Sequence, residues 1–542
     1  MRRLTLAVGC LLVTSLALPS SADTTWSGTT ADQQISYDDD EAARAVQILY
    51  NTWTGILHIL WSEDAPSVRE IHYGRSTDKG LTWSSTTVDR VISYPDGNPV
   101  WPEECAVATD PDFGPQNLVV VWSEAVAATR EVHYGTSVDE GLTWSCATAD
   151  LVLSDPASAV DTGVPSVAID GAGNIHVVWH QEAAGGRPAE VHYSRSTDGG
   201  ASWSGATADR MISFQDGNPA LEPAIAVGSN DRLFVAWREV DDVGDPRIHL
   251  GISEDGGDTW SSETADREIS QSASIMTDHA ITATEYSHAG VHVVYRASYD
   301  TQSPYYYEIY ATSSFDDGAT WDGELGLVPV SHDEGAGRSA SNPDVFVGPS
   351  QGAIAVWNEV DDVAGTEEQH ISRLRGHWSG ADGDVIISFP DGENGYRPSI
   401  SGTTEPIVVP PREDPFDTFV AWTEFNGTTP DYYEVHLSAA ALVVNAVDDP
   451  AQLSGATLRA TPNPSGGAVR IEWTTPSPER VGLTILDATG RRIRSFEPSA
   501  GSRPHSVIWD RTDQHGHQLP RGVYFARLCA KSGNRTFPLV LL

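Results

Sequence analysis

The sequence predicts an all-β chain: a seven-bladed β-propeller closed by its own N-terminal strand, followed by a small β-sandwich. Three recurring markers predict it, each found seven times along the first 450 or so residues. One is a short apolar strand that ends in an aromatic residue, as in ILHILW (56–61), NIHVVW (174–179) and DTFVAW (417–422). Another is a polar turn ending in tryptophan, with full copies STDKGLTW (76–83), SVDEGLTW (137–144), STDGGASW (196–203), SEDGGDTW (253–260) and SFDDGATW (314–321), and degenerate copies at Trp26 and Trp378. The last is the segment behind each tryptophan, as in TTADQQIS (29–36) and ETADREIS (263–270).

Within one unit the elements read in order. PSVAID (165–170) is a short strand ending in a glycine-rich turn, NIHVVW follows, and EVHYSR (190–195) alternates with period two. The tryptophan turn comes next, and ATADRMIS (206–213) supplies the fourth strand. Four antiparallel strands per repeat of about 60 residues is a propeller blade. The chain enters the repeat in the middle of a turn motif, and its last unit lacks one. The N-terminal strand is therefore expected to complete the last blade and leave no sheet edge exposed.

The turn occurs once per unit, as a fold device would, whereas a chemical site is needed once. Its aspartates, glycines and tryptophans are assigned to the scaffold: Asp78, Gly80 and Trp83; Asp139, Gly141 and Trp144; Asp198, Gly200 and Trp203; Asp255, Gly257 and Trp260; Asp316, Gly318 and Trp321. The carboxylate is placed to accept backbone N–H bonds of its own turn, the glycine to take a backbone shape other residues disfavour, and the indole to pack beneath the hairpin.

Composition bounds the function. The 542 residues carry 76 acidic against 33 basic side chains, a net charge of −43, which excludes general nucleic-acid affinity. Solubility is the preferred reason for the excess. Calcium is the one cofactor left open, with no Asp-x-Asp-x-Asp-Gly loop to support it. The opening MRRLTLAVGCLLVTSLALPSSAD reads as a secretory signal peptide over 1–22, which would leave Cys105, Cys146 and Cys529, an odd number that makes no disulfide framework. No metal site is expected, and no other segment is long and apolar enough to span a membrane. The domains expected are the propeller over 23–446, a polar linker over 447–457, and a sandwich over 458–542 built from runs such as VRIEWTTP and GVYFARL.

Residues that recur from unit to unit are read as structural. These are Glu63, Glu124, Glu239, Glu359 and Glu424, two places after the strand aromatic, and the third-strand histidines such as His72, His133 and His249. Residues that break the repeat near the expected axial mouth are the ligand-binding candidates: Trp101, Glu103, Glu104, Asp161, Glu222, Arg238, Asp278, Arg296, Tyr306, Tyr396 and Arg397. Guanidinium groups grip carboxylates, aromatic rings stack on sugars, and paired carboxylates serve glycoside hydrolysis at the right separation.

The turn Ser-x-Asp-x-Gly-x-Thr/Ser-Trp resembles the Asp-box, or bacterial neuraminidase repeat, and over about 400 residues the chain resembles the sialidase-like propeller superfamily. For an active sialidase the resemblance implies three arginines on the substrate carboxylate, a tyrosine nucleophile with a glutamate partner, an acid/base aspartate, and an Arg-Ile-Pro signature, which this chain lacks. The string PNPSGG…LTILDATGRRIRSF…GVYFARL resembles the type A sorting domain of type IX secretion and the flagellar-hook-cap type of immunoglobulin-like module. Together these imply a secreted or cell-surface protein whose propeller is a non-catalytic binding module, glycans being the first ligand class, and whose C-terminal domain engages secretion machinery. A sialidase-like glycoside hydrolase and a structural or adhesive protein with surface-protein partners are the alternatives. Arginines clustered at the mouth would favour acidic sugars, aromatics and amides neutral glycans, and a plugged polar face the structural role.

Overall fold

The computed structural model describes most of residues 33–541; residues 1–32, 299–306, 403–416, 442–456 and a number of shorter segments lie outside the described residues. The expected signal peptide, Tyr306 and residues 447–456 of the expected linker fall there. The chain is all-β and of β-propeller type, and it divides into two compact units, one within 25–441 and one containing 442–542.

Among the described residues the first unit holds seven antiparallel sheets. The first is Ala43–Asn51, Ile56–Asp64 and Arg69–Ser76; the second is Val100–Thr109, Leu118–Val126 and Thr129–Ser137. Isolated bridges, His72 to Val91 and His133 to Val152, stand where a fourth strand would. The third sheet is Thr162–Ile169, Ile175–Ala183, Arg187–Ser196 and Arg210–Met211, and the fourth is Ala220–Val227, Leu233–Val240, Pro246–Ser253 and Arg267–Glu268. The fifth begins with Ile275–Ala283, the sixth with Ala340–Val347 and the seventh with Gly395–Gly402. The outer strand of the seventh sheet is Gln33–Gln34, which pairs with Tyr433–Ala441 in the register Gln33 to Leu437.

The first strands touch one another in chain order, and that of the seventh sheet touches that of the first. The apolar cores follow the same cycle. Each of seven clusters draws on two neighbouring sheets, as Val178, Val191 and Tyr193 of the third do with Val235 and Trp237 of the fourth. Phe419 and Leu437 of the seventh sheet pack with Ile48, Ile59 and Trp61 of the first. A second strand is thus covered on both faces, which is why Ile56–Asp64 is buried almost end to end and reads as a continuous apolar run.

The tryptophan turn is built the same way five times. In the first copy Ser76 Oγ donates to Asp78 Oδ1 (2.8 Å) and accepts from Gly80 N (2.9 Å), while Thr82 donates its N–H to Asp78 Oδ1 (2.9 Å) and its hydroxyl to Oδ2 (2.6 Å). Asp139, Asp198, Asp255 and Asp316 accept the equivalent pairs. The Thr82 bonds hold the Asp78 carboxyl at about 2. The turns also link sheets. Trp144, Trp203 and Trp260 each meet edge-on a tyrosine of the preceding sheet, Tyr73, Tyr134 and Tyr193, at ring separations of 5.2, 5.0 and 5.1 Å. Arg90, Arg210 and Arg267 donate to carbonyls of the next turn, Arg267 to Gly318 O at 2.7 Å and Ala319 O at 2.9 Å.

The repeated glutamates and histidines serve each sheet internally. The indole N–H of Trp61, Trp122, Trp237, Trp357 and Trp422 donates to the carboxylate two residues on, at 2.6, 3.0, 3.2, 2.8 and 2.7 Å. The ring of His72, His133, His249, His370 or His436 lies against the same indole.

In the second unit, Thr457–Thr461, Val469–Thr474 and His505–Trp509 form one sheet, and Arg492–Ala500, Arg480–Asp487, Gly522–Ala530 and Gly533–Leu541 form another. Val469, Ile471, Trp473 and Trp509 of one share a core with Leu483, Ile485, Tyr524, Leu528 and Leu539 of the other. In VRIEW the alternation of buried and exposed residues is complete. Among the described residues no helix is long and apolar enough to cross a membrane. Cys105 and Cys146 are free thiols.

The turn geometry makes a differential prediction. Gly257 has φ +91°, and a Cβ there would overlap the Tyr193 hydroxyl of the neighbouring sheet; Gly199 has φ +71° with nothing within 4 Å. Gly257→Ala is expected to destabilise the first unit by roughly 3 kcal/mol, strain and overlap together. Gly199→Ala is expected to cost about 1 kcal/mol, strain alone. Calorimetry of the full chain checks the ranking through the displacement of the first unit's transition.

Candidate functional site at the axial mouth

Every first strand breaks its ladder at the same place. Register shifts fall between Arg44 and Gln47, Val100 and Cys105, Gly163 and Ser166, Leu221 and Ala224, Thr277 and His279, Ser341 and Asp344, and Tyr396 and Ser399. Six of the bulges hold a non-glycine residue in the left-handed region: Ala45 (φ 51°), Val164 (48°), Glu222 (56°), Asp278 (39°), Asn342 (49°) and Arg397 (52°). Such a conformation costs about 1–3 kcal/mol per residue and clusters where a side chain must be re-aimed. In four strands a proline follows directly, Pro165, Pro223, Pro343 and Pro398. Proline has no N–H to give a ladder, so it suits the position where pairing is lost.

The bulged residues line one cavity of about 490 Å³, together with Trp101, Glu104, His279 and Asp344. A second cavity of about 330 Å³ shares Gln47, Val107, Ile225, Ile281 and Asp344 with it. Of the residues expected at the site, Trp101, Glu104, Glu222, Asp278 and Arg397 line the larger cavity. Arg397 and Tyr396 also line an adjoining pocket of about 150 Å³, where Tyr396 meets Tyr433 edge-on at 5.5 Å. Asp161, Arg238 and Arg296 reach the site through ion pairs with residues around it. The Glu103 side chain and Tyr306 lie outside the described residues.

The charges are paired, within a sheet for Arg238–Glu222 and Arg296–Asp278 and from the second sheet to the entry of the third for Arg130–Asp161. Arg130, on the third strand of the second sheet, donates to Glu104 Oε1 (2.8 Å) and to both oxygens of Asp161 (2.9 and 2.7 Å), and its guanidinium lies 4.9 Å from the Trp101 ring centroid. Glu104 also accepts from Val164 N at 3.1 Å. Arg238 holds Glu222 at 3.1 and 3.3 Å. Arg296 sits 3.7 Å from Asp278, donates to Ala340 O at 3.0 Å and stacks 3.8 Å from the Tyr307 centroid.

These pairings push the carboxyls in different directions. Burial raises Glu104, against the opposing pull of Ser123 and Arg130. Burial acts the same way on Glu222, but the Arg238 hydrogen bond and charge, with His279 and His180, outweigh it and leave the group below the usual carboxylate range. Asp161 is likewise buried in part, yet is drawn down by Arg130. His180 is held at about 4, by burial first and Arg130 second. Asp344 rises to about 6 through burial, although it accepts from Ile400 N (2.9 Å) and Val345 N (2.8 Å).

Sequence reasoning missed Arg130 because it looks like a repeat residue. It stands at the start of a third strand just as Arg69 and Arg247 do, so it does not break the pattern. It also missed Asn342 and the shared bulge, for which the recurring X-Pro dipeptides were an available signal.

Compared with protein-family models and with curated proteins, the chain matches none. Among solved structures it is similar to a PL25 ulvan lyase bound to a GlcA–Rha3S disaccharide (11% identity, 75% of this chain and 95% of that one, TM-score 0.48). It is also similar to a Penicillium chrysogenum α-L-arabinanase complexed with arabinobiose (12%, 76% and 98%, 0.43) and to Trypanosoma rangeli sialidase (12%, 95% and 89%, 0.40). Likenesses this distant assign no activity.

Arg130 is the hub of the mouth, with its side chain 18% exposed and that of Glu104 9%. Arg130→Met is expected to cost about 2–4 kcal/mol by leaving two carboxylates unpaired. Adding Glu104→Gln is expected to recover part of that loss. A double-mutant cycle by calorimetry measures the coupling.

Proposed function

We propose that the first unit is a seven-bladed Asp-box propeller acting as a non-catalytic glycan-binding module, with neutral rather than acidic sugars as its ligands. The observation that carries this reading is the pairing of guanidinium and carboxylate around an open mouth. Arg130, Arg238 and Arg296 are each engaged by a carboxylate. A sialic-acid carboxylate would have to displace those partners, at the cost of unpairing partly buried charges. Sugar hydroxyls have no such conflict, since they donate to Glu and Asp and accept from Arg at once. Trp101, 43% exposed and backed by Arg130, offers a stacking face at the rim of the 490 Å³ cavity.

In the same reading residues 1–22 direct export, the C-terminal unit is an immunoglobulin-like sorting or attachment domain over 458–542, and the protein works outside the cell. The net charge of −43 agrees with a surface that avoids polyanions and anionic membranes.

A second reading, glycoside hydrolysis, is supported by one specific contrast. Glu104 is raised and Glu222 lowered, and both line one cavity, which is how an acid and a base are separated at one pH.

A glycan array probed with the full chain tests both. The expected result is binding to neutral oligosaccharides, weakened at least tenfold by Trp101→Ala, with no release from a fluorogenic sialoside. Turnover of a bound glycan that Glu104→Gln abolishes would replace the binding reading by the hydrolytic one.

A further inference from the structure

We infer that Glu239 and His249, on adjacent strands of the fourth sheet, and Asp266, at the entry to the next strand, form a binding site for a divalent transition-metal ion of the zinc type. The site is independent of the axial mouth. Glu239 lies on Leu233–Val240, His249 on Pro246–Ser253, and Asp266 immediately before Arg267–Glu268. The antiparallel ladder pairs His249 with Trp237 on one side and Glu268 on the other, which brings the three side chains together. One ligand atom from each lies within 4.8 Å of the others.

Three features of the cluster point to a cation. Glu239 and Asp266 are in hydrogen-bonding reach of each other, although both are acceptors when ionised, and Asp266 Oδ2 is buried with no donor. Two ionised carboxylates in that relation repel, so either a shared proton or a bound cation lies between them, and His249 offers a third ligand atom within 4.8 Å of both. His249 Nδ1 stands 3.6 Å from Glu239 Oε2, too far for a hydrogen bond. It is close to the edge of about 3.4 Å expected between two ligands of a tetrahedral site with bonds of about 2.1 Å. Finally, Glu239 and His249 are only 3% and 9% exposed and Asp266 is half-buried, so two of the three ligand side chains are shielded from water.

The donor set selects the metal. One imidazole nitrogen with two carboxylate oxygens suits zinc, whereas calcium takes oxygen ligands in larger number. The other ligands of these side chains hold them in place: Trp237 Nε1 donates to Glu239 Oε2 at 3.2 Å and Phe214 N to Asp266 Oδ1 at 2.9 Å. The ion would tie the entry of the outer strand to the next two strands of the sheet. The sequence places Asp89 and Asp150 at the same point behind the Glu63–His72 and Glu124–His133 pairs; both aspartates lie outside the described residues.

The test uses the full chain, stripped with a chelator and titrated with zinc chloride by calorimetry, with retained zinc counted by mass spectrometry after gel filtration. Wild-type protein is expected to retain zinc. Asp266→Asn, whose amide can donate to Glu239 and so preserve the fold, and His249→Gln are each expected to retain one equivalent less, with unchanged circular dichroism. A wild type that retains no zinc, variants that retain as much as wild type, or calcium binding in place of zinc would each overturn the inference.

Discussion

The architecture of the mouth depends on one backbone constraint, the bulge that interrupts each first strand and in six of the seven holds a left-handed residue. A regular strand would pair along its whole length and send alternate side chains to the two faces of its own sheet. A bulge removes one ladder position and turns the freed side chain out of that alternation. Here this is done at the same level in sheet after sheet, so that Glu222, Asp278, Asn342 and Arg397 meet in one cavity. The conformation is unfavourable at each of these residues, and Val164 is β-branched, where it is least tolerated. It persists because the strands on either side are fixed by cores that leave them no other register.

That fixing comes from two repeated devices. Apolar clusters join each sheet to the next and the seventh to the first, so no sheet supplies a core alone. On the turn side, the Asp-centred loops orient tryptophans that meet the tyrosines of the preceding sheet, and arginines span to the carbonyls of the following turn. Buried polar groups are used the same way in five of the sheets, an indole N–H given to a carboxylate with an imidazole beside it, while in the third Trp179 donates to Gln181. The repeated devices fix the frame, and the cavity at the mouth is lined where the repeat is broken or bulged.

The repeating framework was legible in the sequence because each unit solves the same packing problem with the same residues. Period-two strands, the Asp-Gly-Trp turn and the Trp-x-Glu pair are local patterns, and local patterns survive in one dimension. The mouth was legible only in part. Trp101, Glu104, Glu222, Asp278 and Arg397 stood out as departures from the repeat, and they do line the cavity. Arg130 did not stand out, since its role depends on Glu104 and Asp161 from other strands and its position is shared by Arg69 and Arg247. The Glu239–His249–Asp266 cluster was hidden for the same reason: each member is a repeat residue, and only the register of three strands brings them together.

The reading of the mouth as a neutral-glycan site rests on ion pairs that leave hydroxyl-matching groups in place and one exposed indole at the rim. The most direct measurement is a crystal structure of the full chain soaked with the oligosaccharide it binds most tightly. The account predicts a sugar ring against Trp101, its hydroxyls bonded to Glu222 and Arg397, with the Arg130–Asp161 and Arg238–Glu222 pairs intact. A sugar bound on the turn face, or one whose own carboxylate has displaced Glu222 from Arg238, would contradict it.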